Sequence, residues 1–531
     1  MRLNLKKNLV GGLTAAIIAL PLGLAFGVAS GLGATAGIYG AIILGFFASL
    51  FGGTPTQISG PTGPMTVVVA AAAVTLHNDI GLLASTILLA GFFQILFGIS
   101  KVGKFVQYIP YPVISGFMSG IGVIIIILQI NPYLGLPIDA SVVHILLSLP
   151  SNIANVNNEA FMIATGTLLI MFFTPSKISK IIPTPLIALA ILTPLSIYLN
   201  FTVETIGEIP STIPSIILPS ININNYVSII SIAFTLAILG TIDTLLTSIV
   251  ADSVTGTKHK PNRELIGQGI GNSICGLFGA VPGAGATMRT VINVKSGGTN
   301  KISGMTHALV LLITVLFFAP FASQIPLALL AGILIKVGID ILDYRFLSIW
   351  RECPKYDLSV MLVVFFITVF IDLITAVVVG IVLASLLIVY RITKETNITL
   401  ADSSSEDVNT KYNLIDKKIR VIKINGAFFF GSSTAFESKA NSILDTKIVI
   451  IDIIDVPFID ITAIFTLKDL IFKLQTDDIK VKIIAKESDK IQLLKLNKTH
   501  IFDDVKFYDN MEKALDNIYI RSAFNTVCDY R

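Results

Sequence analysis

Residues 60–66 read GPTGPMT: two glycines, two prolines and two threonines in seven positions of a stretch otherwise apolar enough to cross a membrane. Glycine packing and a proline kink are common in membrane helices, so one such break decides little. A second break at a matching place in the chain would decide the fold.

The surroundings are uncharged. Between Asn8 and Asn78 there is no Lys, Arg, Asp or Glu. Of all 531 residues, 53% are hydrophobic and 14% charged, and mean hydropathy is +0.81. A soluble protein carries roughly 25% charged residues, so most of this surface must be solvated by lipid. Beyond Arg391 charges recur every few residues. That shift divides the chain into a membrane part, residues 1–395, a linker, 396–416, and a soluble domain, 417–531. A net charge of +4 is too small to point to nucleic acid. Cys275, Cys353 and Cys528 lie far apart with no CxxC pair, so neither a disulfide framework nor a zinc site is expected. The start, MRLNLKKN, is basic like a signal peptide. The apolar run after it is too long for one, which predicts a retained first span.

A helix needs about 20 apolar residues to cross the hydrocarbon core. Long candidates begin near Gly12, Thr35, Leu82, Pro112, Phe161, Ile182, Val227, Met305 and Leu358. Shorter or Gly/Pro-broken ones begin near Gly60, Arg263, Gly285, Pro326 and Ile374. Together they make about fourteen membrane elements. Lys and Arg come in discrete groups, such as Lys101 with Lys104 and Lys258 with Lys260 and Arg263, separated by long stretches with neither. Cytoplasmic loops hold the excess of basic residues. With fourteen elements these groups fall on one side, which places both termini in the cytoplasm.

The membrane part repeats itself. Ile109-Pro110 leads to Ser115-Gly116, as Ile325-Pro326 leads to Ala331-Gly332. That shift carries GPTGPMT to within a few residues of GAVPGAGATMRT, Gly279 to Thr290, a second Gly/Pro-broken stretch. Interrupted segments at matching positions of two halves point to a transporter binding site. Irregular backbone at membrane depth must line a cavity, and a helix that begins there aims its free N–H groups and positive dipole end at an anion. Gly63 and Gly285 permit close backbone approach, Pro64 suits a first helical turn, and Thr62 and Thr287 add hydroxyls.

Ionisable residues at bilayer depth are functional candidates. Asp243 lies in AILGTIDTLLTSIVAD, with Thr247 one turn later on the same face. The stretch Gly285 to Thr287 could add carbonyl and hydroxyl oxygens. Carboxylate, hydroxyl and carbonyl together suit Na⁺; a proton-carrying aspartate is the alternative. Arg289 either adds positive potential to the anion site or pairs elsewhere. Arg263 and Glu264 either pair locally or form a gate contact. No two of the five histidines stand at metal-ligand spacing, and no G-x-x-x-x-G-K-[ST] loop occurs, so an enzyme or an ATP-driven pump is not expected.

In the soluble part IRVIKINGAFFFG, KIVIIDIIDVP and IKVKIIAKE read as buried strands, alternating with the helical patterns TAFESKANSILD and FTLKDLIFKLQTDD. A small α/β domain follows.

LPLGLAFGVASG, GPTGPMTVV, the Asp243 helix, GAGATMRTVIN and DVPFIDITAIFTL together resemble the SulP anion transporter family, whose members carry a C-terminal STAS domain. GGLTAA, LLTSIVADS and ELIGQGIGN read like its cyanobacterial sodium-dependent bicarbonate branch. The resemblance implies seven plus seven inverted repeats, with a core (elements 1–4 and 8–11) moving against a gate (5–7 and 12–14). It also implies a cytoplasmic STAS domain, a homodimer through that domain, and a multi-pass protein of the inner (plasma) membrane. It places Na⁺ on Asp243, Thr247, Gly285, Ala286 and Thr287, and the anion among Phe26, Thr62, Gly63, Ala286, Thr287 and Arg289. Sulfate-type members usually carry Gln where this chain has Leu22, which removes an amide donor. The expected function is Na⁺–bicarbonate symport with no organic cofactor. Proton-coupled uptake of sulfate or another oxyanion, and an anion channel or motor-like relative, are the alternatives.

Overall fold

The computed structural model describes residues 5–515, apart from 105–108, 140, 180–181, 208–213, 221–224, 372, 403–418, 441–445 and 499. Two compact units divide between Val382 and Leu383.

The first unit is helical, as apolar sequence in lipid requires, because each backbone N–H and C=O must find its partner within the segment. Its helices are α1 (Leu5–Ala29), α2 (Ala34–Phe51), α3 (Gly63–Thr75), α4 (Ile80–Ile99), α5 (Tyr111–Leu128), α6 (Asn158–Phe173) and α7 (Thr184–Tyr198). They continue with α8 (Tyr226–Thr255), α9 (Pro261–Leu277), α10 (Thr287–Lys295), α11 (Lys301–Ala322), α12 (Leu327–Ile341) and α13 (Lys355–Phe370), and α14 (Leu373–Glu395) runs across the division into the second unit. Each matches one of the membrane elements expected from the sequence. A connecting helix, Val142–Ala154, is bent by 116° against α6. Prolines set the matched starts: Pro110 caps α5 and Pro326 caps α12, both in extended backbone, as the repeat predicts. Phe173 and Phe317 are 77% and 72% exposed, an aggregation hazard in water but the expected face toward lipid.

Packing sorts the helices into two groups. α1 to α4 pack with α8 to α11, while α5, α6 and α7 pack with α12 and α13. This is the core-and-gate division that the resemblance implies.

The two broken stretches meet. β1 (Ser59–Gly60) and β2 (Ala284–Gly285) form an antiparallel pair, Ser59 opposite Gly285 and Gly60 opposite Ala284. α3 begins just beyond β1 and α10 just beyond β2, so both half-helices start at one crossing. Only glycine admits the approach: a Cβ on Gly283 would lie 2.0 Å from the Gly60 carbonyl oxygen.

The second unit carries a five-stranded sheet in the order β3 (Asn397–Asp402), β4 (Ile419–Asn425), β5 (Ile448–Asp452), β6 (Lys480–Ile484), β7 (Lys506–Tyr508). β3 is antiparallel to β4 and the remaining pairs are parallel. Its helices are α15 (Phe430–Ala440), α16 (Ile461–Thr476) and α17 (Glu487–Lys495). Ile422, Phe428, Phe436, Ile451, Leu467 and Ile483 are among its core; near-continuous apolar runs such as IVIID belong to strands covered on both faces. The expected linker begins with strand β3, whose ladder partner lies beyond its own segment and leaves no local signature. Residues 403–416 of that linker, and Cys528, lie outside the described residues. Cys275 and Cys353 are free thiols.

Candidate functional site

The crossing of β1 and β2 brings together Thr62, Gly63, Asp243, Thr247, Gly285, Ala286, Thr287 and Arg289 of the residues singled out in the sequence. Thr62 and Ala286 are the N-cap residues of α3 and α10, and neither bonds its helix through a side chain. Both helix starts therefore present first-turn N–H groups without a capping oxygen. Pro64 occupies the first turn of α3, where its missing N–H costs nothing.

α8 runs past the crossing and supplies the acid. Thr62 and Arg289 face the Asp243 carboxylate, yet neither Asp243 Oδ2 nor Thr62 Oγ1, both buried, completes a hydrogen bond among the described residues. One turn on, Thr247 Oγ1 donates to the Gly285 carbonyl at 2.9 Å and lies 2.7 Å from Thr287 Oγ1. A carboxylate, two hydroxyls and a backbone carbonyl thus sit on neighbouring turns of α8 and at the start of α10. Such hard oxygen donors suit an alkali or alkaline-earth cation rather than a soft metal. Among the described residues no three His, Cys, Asp or Glu side chains gather as a metal site. A single carboxylate balances a single positive charge.

Phe26 is buried in α1, the helix that packs on both α3 and α10. Leu22, one turn earlier, is buried as well and offers no donor.

Arg289 is 2% exposed and donates through Nη2 to the Pro61 carbonyl. Its other terminal nitrogen lies against Gly60, where a Cβ would come within 2.6 Å. The guanidinium therefore braces the first broken stretch from behind while keeping its charge beside Asp243. Thr290 and Asn293 act alike: Thr290 Oγ1 accepts from Ile58 N at 3.0 Å, and Asn293 Nδ2 donates to Thr56 O at 2.8 Å. The polar face of α10 thus satisfies backbone that no helix or sheet ladder serves.

The other flank of the crossing belongs to the gate group. A Cβ on Gly63 would meet Ile125 Cδ1 at 2.6 Å and Ile341 Cδ1 at 3.2 Å, with Ile121 at 3.9 Å. The start of α3 is therefore covered by isoleucines of α5 and α12. A separate cavity of about 800 Å³ lies toward the far ends of α1 and α3, lined among others by Ala29, Ala73, Gln129, Asn131 and Asn152.

Several residues at the crossing escaped the sequence reading. Thr244 Oγ1 accepts from Gly285 N at 3.1 Å. Asn272 holds Gly283 by both its backbone groups, each at 2.9 Å. Glu264 was expected in a local pair with Arg263 or a gate contact; instead its carboxylate accepts from Gly53 and Thr54 N–H, each at 2.7 Å. Arg263 turns to the Phe51 carbonyl. The missed signal was spacing: Glu264, Gln268 and Asn272 recur every four residues on one face of α9. Lys336 is no part of the site; it pairs with Asp340 and lies over the Phe172 ring.

The sulfate permease family model matches residues 5–364, and the STAS domain model residues 413–514. The bicarbonate transporter BicA of Synechocystis sp. (strain ATCC 27184 / PCC 6803 / Kazusa) is 42% identical over 529 residues, 96% of this chain and 94% of that protein. The solved transmembrane domain of a cyanobacterium bicarbonate transporter BicA is 46% identical, with a TM-score of 0.68, covering 71% of this chain and 98% of that one. Murine Solute Carrier 26 family member A9 in the inward-facing state, at 20% identity, matches in fold with a TM-score of 0.84 over 97% of this chain and 91% of its own.

Proposed function

Since the chain belongs to the sulfate permease family of anion transporters, we propose that it is a secondary active symporter of Na⁺ and bicarbonate. It resides in the plasma membrane with both termini in the cytoplasm, and pairs as a homodimer through its STAS domain. The observation that carries this reading is the meeting of two half-helix starts with Asp243, Thr247, Thr287 and the Gly285 carbonyl at one crossing.

Na⁺ binds the oxygens of Asp243, Thr247 and the Gly285–Ala286–Thr287 stretch. Bicarbonate binds between Phe26, Thr62, the N–H groups at Gly63 and the start of α10. Each helix start contributes the equivalent of about half a positive charge, and Arg289 adds its field from behind. An ionised Asp243 works against them. Two like unit charges about 4 Å apart repel by about 4 kcal/mol at an effective dielectric constant of about 20. Na⁺ neutralises that carboxylate, so the anion binds well only after the cation. The core then shifts along the gate, elevator-like. The isoleucines over Gly63 make an apolar contact surface that carries no hydrogen bonds to break. Leu22, which offers no amide donor, favours a small anion over one needing that donor.

Uptake of labelled inorganic carbon into proteoliposomes, with Na⁺ or choline outside at a pH where bicarbonate dominates, tests the reading. Saturable uptake that requires Na⁺ is expected. Asp243→Asn should reduce it by about a hundred-fold, the effect of losing roughly 3 kcal/mol from a buried charge pair. Sulfate uptake driven by a pH gradient, with no response to Na⁺, would refute both substrate and coupling ion.

A further inference from the structure

Glu264 is 1% exposed, yet its two carboxylate oxygens are fully engaged. Oε2 accepts from Gly53 N and Thr54 N; Oε1 accepts from Gln57 Nε2 at 3.0 Å and Gln268 Nε2 at 2.9 Å. Among the described residues its bonded neighbours are all donors, which is the environment of a bound carboxylate anion. Nothing in the transport reading uses this charge.

Its reach runs through Gln57. That amide is held at both ends: Nε2 on Glu264, and Oε1 accepting from Ser248 Oγ at 2.9 Å. Ser248 follows Thr247 on α8 and also lies 2.8 Å from Thr54 Oγ1. Between those two anchors the Gln57 amide is pressed onto Gly285, where a Cβ would come within 2.3 Å of Nε2. Gln268 extends the clamp to Ser59 Oγ, directly opposite Gly285 in the β1–β2 pair. One carboxylate therefore fixes the depth at which the Gly285 carbonyl meets Thr247.

We propose that Glu264 is a positioning residue for the cation site, holding Gly285 in register with Thr247 through Gln57. This rests on the Na⁺ reading above for its functional consequence but not for its geometry. Glu264→Gln puts an NH₂ where either two backbone N–H groups or two side-chain amides already donate. In the second case Gln57 can accept from that NH₂ only by turning its amide over, which reverses its bond with Ser248 and shifts the group that lies against Gly285.

The test uses the full chain in proteoliposomes. Glu264→Gln should raise the Na⁺ half-saturation by about ten-fold, with the maximal rate per folded transporter and the bicarbonate KM at saturating Na⁺ each within about two-fold. Gln57→Ala leaves the backbone and Gln268 bonds of Glu264 in place, and should reproduce the Na⁺ shift. A loss of maximal rate with unchanged Na⁺ dependence in both variants would make Glu264 a structural brace only. Hydrogen exchange across residues 283–288, which needs no Na⁺, should rise about ten-fold in both variants relative to α5 and α12. If wild-type uptake ignores Na⁺, the symport reading falls while exchange still decides the positioning role; unchanged exchange overturns that role.

Discussion

α3 and α10 begin at the same two-stranded crossing, each behind a cap residue whose side chain stays free of its helix. From there they diverge. α3 reads GPMTVVVAAAAVT, carries no charge and buries ten of its thirteen residues. α10 reads TMRTVINVK, and its buried residues are Arg289, Thr290 and Asn293, each bonded to the backbone of residues 56–61. Repeat symmetry places two backbone breaks face to face. The side chains that give the crossing its chemistry come from the second half: Asp243, Thr247, Thr287 and Arg289. The first half offers backbone N–H groups, the Phe26 ring, the Thr62 hydroxyl and an apolar surface against the gate.

Glycine replacement should expose this asymmetry most sharply. A methyl at Gly285 meets Gln57, whose amide is pinned by Glu264 and Ser248 and cannot retreat. Gly285→Ala should cost about 3 kcal/mol, the upper end for overpacking, and reduce Na⁺-driven uptake by about a hundred-fold. Thr287→Val removes the hydroxyl that meets Thr247 at 2.7 Å. The Na⁺ half-saturation should rise by about ten-fold, in line with a lost hydrogen bond of about 1.4 kcal/mol, with the anion KM nearly unchanged. Gly63→Ala meets the far ends of the Ile125 and Ile341 side chains, which can rotate away. A loss of about five-fold, or about 1 kcal/mol, is expected there. Thr62→Val removes a buried hydroxyl that faces the Asp243 carboxylate. Any change, about two-fold at most, should appear in the bicarbonate KM rather than in the Na⁺ response. Kinetics that ranked Gly63→Ala above Gly285→Ala, or showed Thr62→Val shifting Na⁺ more than Thr287→Val, would erase the distinction between the halves.

Much of the candidate site was legible because its signals are local. GPTGPMT and GAGATMRT announce broken helices by composition, and Asp243 with Thr247 is one helical turn in an apolar stretch. The proline-led starts of α5 and α12 appear in the sequence repeat and again in the structure. What escaped notice looks ordinary in sequence. Ile121, Ile125 and Ile341 are three isoleucines among many, and only packing puts them over Gly63. Two-residue strands have no period, so the β1–β2 pair leaves no pattern to find. β3, read as the start of a linker, becomes a strand through pairing with β4.

The sequence by itself determined a polytopic helical chain with two interrupted segments, an intramembrane acid and a trailing α/β domain. Those properties follow from hydropathy, charge spacing and turn residues within short windows of chain. Only the tertiary structure decided which groups face Asp243, what Arg289 bonds, and that Glu264 lies behind the crossing rather than in a local pair with Arg263. Glu264 meets Gly53 across 211 residues, and Arg289 meets Pro61 across 228. No residue type encodes a partner at that distance. The choice is made when the chain buries its polar groups and each must find a mate inside the protein, since lipid supplies none.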